Sequence, residues 1–159
     1  MTPAVKQAKK KKIPFELHHY CHDVNVRSFG LEAAEKLKID AKRVFKTLVV
    51  STIINNNDQL AVAIIPVEYQ LNLKLMAKAL KTKKVKMAEE KRVESSTGYV
   101  LGGVSPLGQK KPLITIIDST SQLFDTIFVS GGKRGLEIEL SAENLAEMTK
   151  AIFSELTSK

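Results

Sequence analysis

Two apolar runs constrain this chain most: VFKTLVVSTII at 44–54 and QLAVAIIP at 59–66, with NNND at 55–58 between them. Both runs are rich in β-branched residues, and asparagine and aspartate suit tight turns. The pattern predicts a long β-hairpin. One residue disturbs it. Phe45, Thr47 and Val49 take one face of the first strand, and Val44, Lys46, Leu48 and Val50 the other. Both faces are apolar, yet Lys46 places an ammonium among them. A buried lysine is costly unless it meets a partner or water. Lys46 therefore either snorkels from a wet strand end or points into a site.

The rest of the chain reads around this hairpin. Thr2 caps a helix with Pro3 at its first position, Val5 and Ala8 facing inward, and Lys9 to Lys12 closing it. FELHHY at 15–20 reads as a strand. FGLEAAEKL at 29–37 reads as a short helix, and Asp40 as the turn or cap before the hairpin. In 71–80, Leu73, Met76, Ala77 and Leu80 fall at helical spacing. KVKMA at 84–88 is a short strand, and 89–97 a polar helix or loop. A glycine-rich connection, 98–112, leads to LITIID at 113–118, an apolar strand expected at the centre of a sheet. TIFVS and LEIEL are strands joined by GGKRG. Ser141 caps a last amphipathic helix, expected to run to about Leu156. Frequent hairpins among interspersed helices predict an α+β fold with a mixed sheet. Length, 159 residues without repeats or a linker, predicts one domain over 1–159.

Composition bounds function. Cys21 is the only cysteine, so an internal disulfide is excluded and a reducing compartment is expected. No apolar run approaches the roughly 20 residues of a membrane span. MTPAVKQAKKKK is basic but no apolar core follows it, so a cytoplasmic protein is expected. The net charge of +8 points to an anionic partner or to solvated lysine faces. Lysines cluster at 9–12, at Lys81, Lys83, Lys84 and Lys86, and at Lys110 and Lys111, as a phosphate-tracking surface would have them.

Other stretches invite chemistry. HHYCH at 18–22 holds all three histidines beside Cys21. In a strand, His18 and His22 would lie about 13 Å apart, too far for one zinc ion, and neighbours would face opposite ways. A strand end with polar residues outside is the favoured reading, with metal and cysteine-nucleophile chemistry as the alternatives. GYVLGGVSPLGQKK has Gly103 and Gly108 at phosphate-loop spacing, but Gln109 and Lys110 follow where Lys and Ser/Thr would be needed. Its backbone N–H groups could still approach a ligand. In SGGKRG, Gly131 and Gly132 permit a tight hairpin turn, with Lys133 and Arg134 at a tip that is either solvated or anion-binding. No serine–histidine pair, readable carboxylate pair or metal box is present.

In order and close to the expected spacing, Phe29-Gly30, VFKTLVV, STGYVLGGVSPLGQKK, IID and IFVSGGKRGLEIEL resemble the bacterial YbaK family. That family comprises free-standing relatives of the editing domain inserted in bacterial prolyl-tRNA synthetases. The resemblance covers nearly the whole chain. It implies a mixed, barrel-like β-sheet surrounded by helices. It implies a trans-editing deacylase that removes cysteine from mischarged Cys-tRNA(Pro), and extends to Cys-tRNA(Cys). It also implies action together with prolyl-tRNA synthetase and no cofactor or metal. The substrate's own thiol is held to attack the ester and leave as a thiolactone, which accounts for the missing protein nucleophile.

The resemblance further implies that Lys46 grips the terminal nucleotide or its phosphate. Gly102 and Gly103 supply backbone N–H groups near the carbonyl. Tyr20, Phe29, Thr47, Ser105, Ser130 and Glu137 bind the aminoacyl group. Glu137 stands where an aspartate is expected, one methylene longer. Two other functions stay open: an Ala-tRNA(Pro) deacylase that recruits water, and a non-catalytic tRNA- or nucleotide-binding module.

Overall fold

The computed structural model describes residues 1–26 and 28–158. Helix α1, Pro3–Lys10, is capped by Thr2, whose hydroxyl accepts the Val5 N–H. A short edge strand β1, Glu16–His19, precedes α2, Phe29–Leu37. The hairpin follows as β2, Phe45–Ile54, and β3, Asn57–Pro66. Its turn is two residues long, because Ile54 pairs with Asn57. Asn55 and Asn56 have φ of 52° and 65°, the left-handed pair that a type I′ turn requires.

After the hairpin come α3 (Leu73–Leu80), β4 (Val85–Met87), α4 (Glu90–Thr97) and β5 (Ile114–Asp118). Strands β6 (Ile127–Ser130) and β7 (Leu136–Leu140) form the second hairpin, ahead of α5, Ala142–Thr149. The last helix ends earlier than the sequence pattern predicts. Lys150 takes a left-handed conformation after α5, and Ile152–Ser154 forms β8 instead. β8 pairs parallel with β5, so tertiary pairing supersedes local helical periodicity there.

The strands form two sheets, ordered β4-β2-β3-β5-β8 and β1-β7-β6. The mixed α+β class is as expected, but the sheets do not close into a barrel. Among the described residues a single parallel bridge, Val44 to Phe128, joins them. β3 is buried on both faces, which explains its unbroken apolar run. Leu60, Val62 and Ile64 pack toward Ile127, Val129, Ile138 and Leu140 of the small sheet. Ala61, Ala63 and Ile65 pack against Met76 and Ala77 of α3. β5 is central, between β3 and β8, as its apolar composition predicts. Among the described residues no helix is long and apolar enough to cross a membrane.

One edge of β2 positions the site. At its start the edge meets β6 through the Val44 bridge, and at Val50–Thr52 it pairs with β4. Between these contacts, Phe45 to Leu48 face a cavity rather than a neighbouring strand.

Candidate functional site

The cavity has a volume of ≈ 360 Å³. β2 contributes Lys46 and Thr47, β6 Ser130, β7 Glu137, the end of β1 Tyr20, α2 Phe29 and Gly30, and the glycine loop Leu101, Gly102 and Val104. Strand register explains the convergence. Glu137 lies opposite Ser130 on one side and His18 on the other, so all three share one face of the small sheet. The Val44–Phe128 bridge sets β2 beside β6, which brings Lys46 level with Ser130.

The groups facing the cavity are lightly partnered. Lys46 is half-buried, and burial lowers its pKa from the usual lysine value. Among the described residues no carboxylate lies within 4.0 Å of its ammonium, so a ligand phosphate would be its first close anion. Thr47 Oγ1 is buried without a hydrogen-bond partner. Ser130 Oγ accepts the Gly132 N–H at 3.1 Å, leaving its own proton to donate inward. Glu137 is 7% exposed, and burial pushes its carboxyl up to about 8. Burial therefore favours its protonated form near neutral pH. An incoming cation would draw it back toward the carboxylate. Burial, then the nearby Glu137, pushes the Tyr20 phenol up to about 12.

The mouth is held by a clamp that the sequence pattern does not reveal. Arg134 stacks on the Phe29 ring, 4.4 Å from its centroid, and donates to the Leu101 carbonyl at 3.0 Å. Gly102 sits between them with φ +88°, and an added Cβ would lie 2.6 Å from both Arg134 Nε and Phe29. Only glycine fits that backbone and that gap. Gly30 meets β3's end as closely: a Cβ there would lie 2.1 Å from Val67 Cγ1. His22 lies tilted against the Phe29 ring, with centroids 5.4 Å apart, and hydrogen-bonds Glu32 at 2.6 Å. Burial would raise the Glu32 pKa, but the Asp23 N–H, His22 and Lys36 hold it below the usual value. Helix α1 braces the loops from behind, since Thr2 donates to the Gly131 carbonyl and Gln7 accepts the Gly108 N–H.

The residues expected at the site divide. Tyr20, Phe29, Lys46, Thr47, Gly102, Ser130 and Glu137 line the cavity. Gly103 and Ser105 do not. The Gly103 N–H donates to the Val100 carbonyl at 3.0 Å, so it closes a turn instead of facing a ligand. Ser105 is fully buried and accepts the Leu107 N–H, which shapes the loop from inside. Lys133 lines the cavity, and Arg134 is the clamp rather than a free tip. The HHYCH stretch does lie at a strand end with His19 and Cys21 exposed, but His18 and His22 are not simply solvated. β1 stops at His19, and His18 and His22 bind separate carboxylates, Glu139 and Glu32. None of Cys21, His18, His19 and His22 lines the cavity. Glu16, His18 and Glu139 lie close enough to hold a cation, but Glu139 is already engaged by His18, Arg43 and Thr126.

A cavity lined by hydroxyls, two lysines, one buried carboxyl and a glycine backbone at its mouth is equipped to bind and position a ligand. Its lining includes no histidine or cysteine that could act as base or nucleophile. Its fold and sequence have a family. The chain belongs to the aminoacyl-tRNA editing domain family, whose model matches residues 24–148. The YbaK-type resemblance of its motifs agrees with this. A protein of Enterococcus faecalis (strain ATCC 700802 / V583) is 38% identical over 158 residues, covering 99% of this chain and 94% of that protein. It is named as a Cys-tRNA(Pro)/Cys-tRNA(Cys) deacylase, EbsC. The fold matches the crystal structure of a protein described as a trans-editing enzyme for prolyl tRNA synthetase. That match has a TM-score of 0.81 at 16% identity and covers 100% of this chain and 99% of the other. The hypothetical protein APE2540 matches with a TM-score of 0.84 at 22% identity, over 99% of this chain and 100% of that one.

Proposed function

We propose that this chain is a trans-editing deacylase that removes cysteine from Cys-tRNA(Pro), and also from Cys-tRNA(Cys). It would act in the cytoplasm, on tRNA presented together with prolyl-tRNA synthetase. The carrying observation is near full-length identity of 38% to a protein named for that reaction. The cavity supports it, because its residues can bind and orient an aminoacyl ester but include no histidine or cysteine nucleophile.

In this reading the cysteinyl thiol attacks its own ester carbonyl. A C–S bond forms, the ester C–O bond breaks, and the thiol proton passes to the leaving ribose oxygen. The products are a cyclic thiolactone and free tRNA. The protein contributes proximity and fixed dipoles. Lys46 holds the terminal nucleotide's phosphate. Thr47 Oγ1 and the Ser130 hydroxyl face the aminoacyl group. Glu137 receives the α-ammonium, which converts it to the carboxylate. Among the described residues the Gly102 N–H has no internal acceptor, so of the two glycines it is the donor for the developing oxyanion.

One observation favours a second reading. A carboxyl with pKa about 8 suits a general base, so Glu137 could activate water on an alanyl ester. The test is loss of the aminoacyl bond from Cys-, Ala- and Ser-tRNA(Pro), with the parent protein and Lys46→Ala. Loss of the cysteinyl ester alone, slowed by about 100-fold or more in Lys46→Ala, is expected. Loss of alanine and serine at similar rates would select the water mechanism. No turnover on any ester would leave a tRNA-binding module.

A further inference from the structure

A second concavity, of ≈ 740 Å³, opens at the far end of β2. Its walls are the β2–β3 turn and the segment that follows α3, and four lysines line it: Lys81, Lys83, Lys84 and Lys86. All four are exposed. The carboxylate that lines it, Asp58, is already engaged by both terminal nitrogens of Arg92, at 3.1 and 3.4 Å. The concavity therefore presents an uncompensated positive field to solvent.

These lysines are not on a loose tail. Lys81 closes α3 in a left-handed conformation, and the Thr82 N–H returns to the Ala77 carbonyl. Thr52 Oγ1 donates to the Lys84 carbonyl at 2.7 Å, and Ser51 and Thr52 pair with Lys86 and Val85. Thr82 Oγ1 lines the same concavity and is buried without a hydrogen-bond partner. The lysines are thus anchored to the strand that carries Lys46. From Lys46 to Ile53 that strand spans about 23 Å, at roughly 3.3 Å per residue.

We propose that this concavity binds the sugar–phosphate backbone of the substrate RNA's acceptor stem while the aminoacyl end occupies the first cavity. The proposal rests on the function proposed above. An A-form RNA stem, with a shorter rise per base pair than B-DNA, covers about 23 Å in less than one helical turn. A stem leaving the first cavity reaches the lysines within that length. Four lysines match a phosphate line in charge, and phosphate contacts position RNA without reading its sequence. That fits a family in which EbsC is named for two different tRNAs. It also explains why a domain with few aromatic residues and no tryptophan can hold RNA without a base-stacking platform.

The experiment uses the full chain and the triple variant Lys83→Glu/Lys84→Glu/Lys86→Glu, with the triple glutamine variant as the milder control for folding. KM and kcat are measured on Cys-tRNA(Pro) across a salt series, and on a cysteinylated CCA trinucleotide too short to reach the cleft. KM for the tRNA is expected to rise tenfold or more, with kcat and the trinucleotide KM unchanged. The log–log salt slope should become shallower by about two to three, one for each phosphate that the variant no longer neutralises. Unchanged KM and slope on the tRNA would overturn the proposal. So would a defect seen only when prolyl-tRNA synthetase is added, which would assign the lysines to an acidic protein surface. If the parent turns over no ester, the proposed function fails first. Filter retention of uncharged tRNA by the same three proteins then decides the cleft alone, with equal retention overturning it.

Discussion

Glu137 and Glu139 stand two residues apart on one face of β7, and the protein treats them in opposite ways. Glu139 accepts from His18 at 2.8 Å, from Thr126 at 2.5 Å and from Arg43 at 3.3 Å. Burial would raise its pKa, but the bonds from Thr126 and His18 and the nearby cations hold it below the usual value. Arg43 and His18 in turn lie against the Phe128 ring. Glu137 points into the cavity, where burial alone sets its pKa at about 8. One end of the face is internally satisfied, and the other is left for a ligand. Unpaired buried groups are costly, so Glu137 marks the end of the face that costs stability, in keeping with the ligand role proposed for it.

Three substitutions break or sharpen this contrast, beginning with the largest effect on stability. Glu139→Ala removes the acceptor shared by Arg43, His18 and Thr126. It should lower the unfolding free energy by about 2–3 kcal/mol while leaving kcat unchanged. Urea midpoints and single-turnover rates read the two quantities separately, and a fall in kcat would mean that the two ends are coupled. Gly102→Ala comes next. Its Cβ must displace Arg134 or Phe29, and a left-handed alanine costs about 1 kcal/mol or more. We expect a modest loss of stability, and at least a tenfold loss of kcat/KM if the Gly102 N–H is the oxyanion donor proposed above, because it shifts with the loop.

Near pH 5 Glu137→Gln should change stability least of the three, and its effect should grow as pH rises. The folded-state pKa of Glu137, about 8, lies above its unfolded value near 4.5. Between these values the native state binds more protons than the unfolded state, so stability falls as pH rises. The glutamine variant should remove that decline between pH 4.5 and 8 and be the more stable protein at pH 8. Glu139 acts with the opposite sign. Its depressed pKa gives stability above its unfolded value that is lost as pH falls through the folded one. A parent protein whose midpoint is flat from pH 5 to 8 would contradict the environment assigned to Glu137. If Glu137 receives the α-ammonium, the same variant should also raise KM for the cysteinyl ester about tenfold.

Much of the local structure was legible in the residues. The β-branched apolar runs at 44–54 and 59–66, with NNND between, specified the hairpin, because a two-residue type I′ turn needs residues that tolerate positive φ. Thr2-Pro3 and Ser141 marked helix starts, each hydroxyl accepting a backbone N–H. Motif order was enough to name the family, and seven of the nine residues expected at the site do meet around one cavity. Gly103 and Ser105 were invisible as loop-builders, because which backbone N–H a turn uses depends on its dihedral angles rather than on its letters. Arg134 read as part of a tip either solvated or anion-binding until Phe29 and Leu101, far away in sequence, were brought against it.

The residues alone determined most of the strands and helices and that Glu137 and Glu139, two apart in a strand, share a face. Those properties follow from period, capping and turn chemistry within a few neighbours. Only the tertiary structure decided that 152–154 joins a sheet, that Gly103 turns its N–H inward, and that Arg43 and His18 stand over Glu139 but not over Glu137. Each of these depends on what lies across a strand pair or a loop crossing. A charge's environment is set in space, over distances that a one-dimensional pattern does not encode.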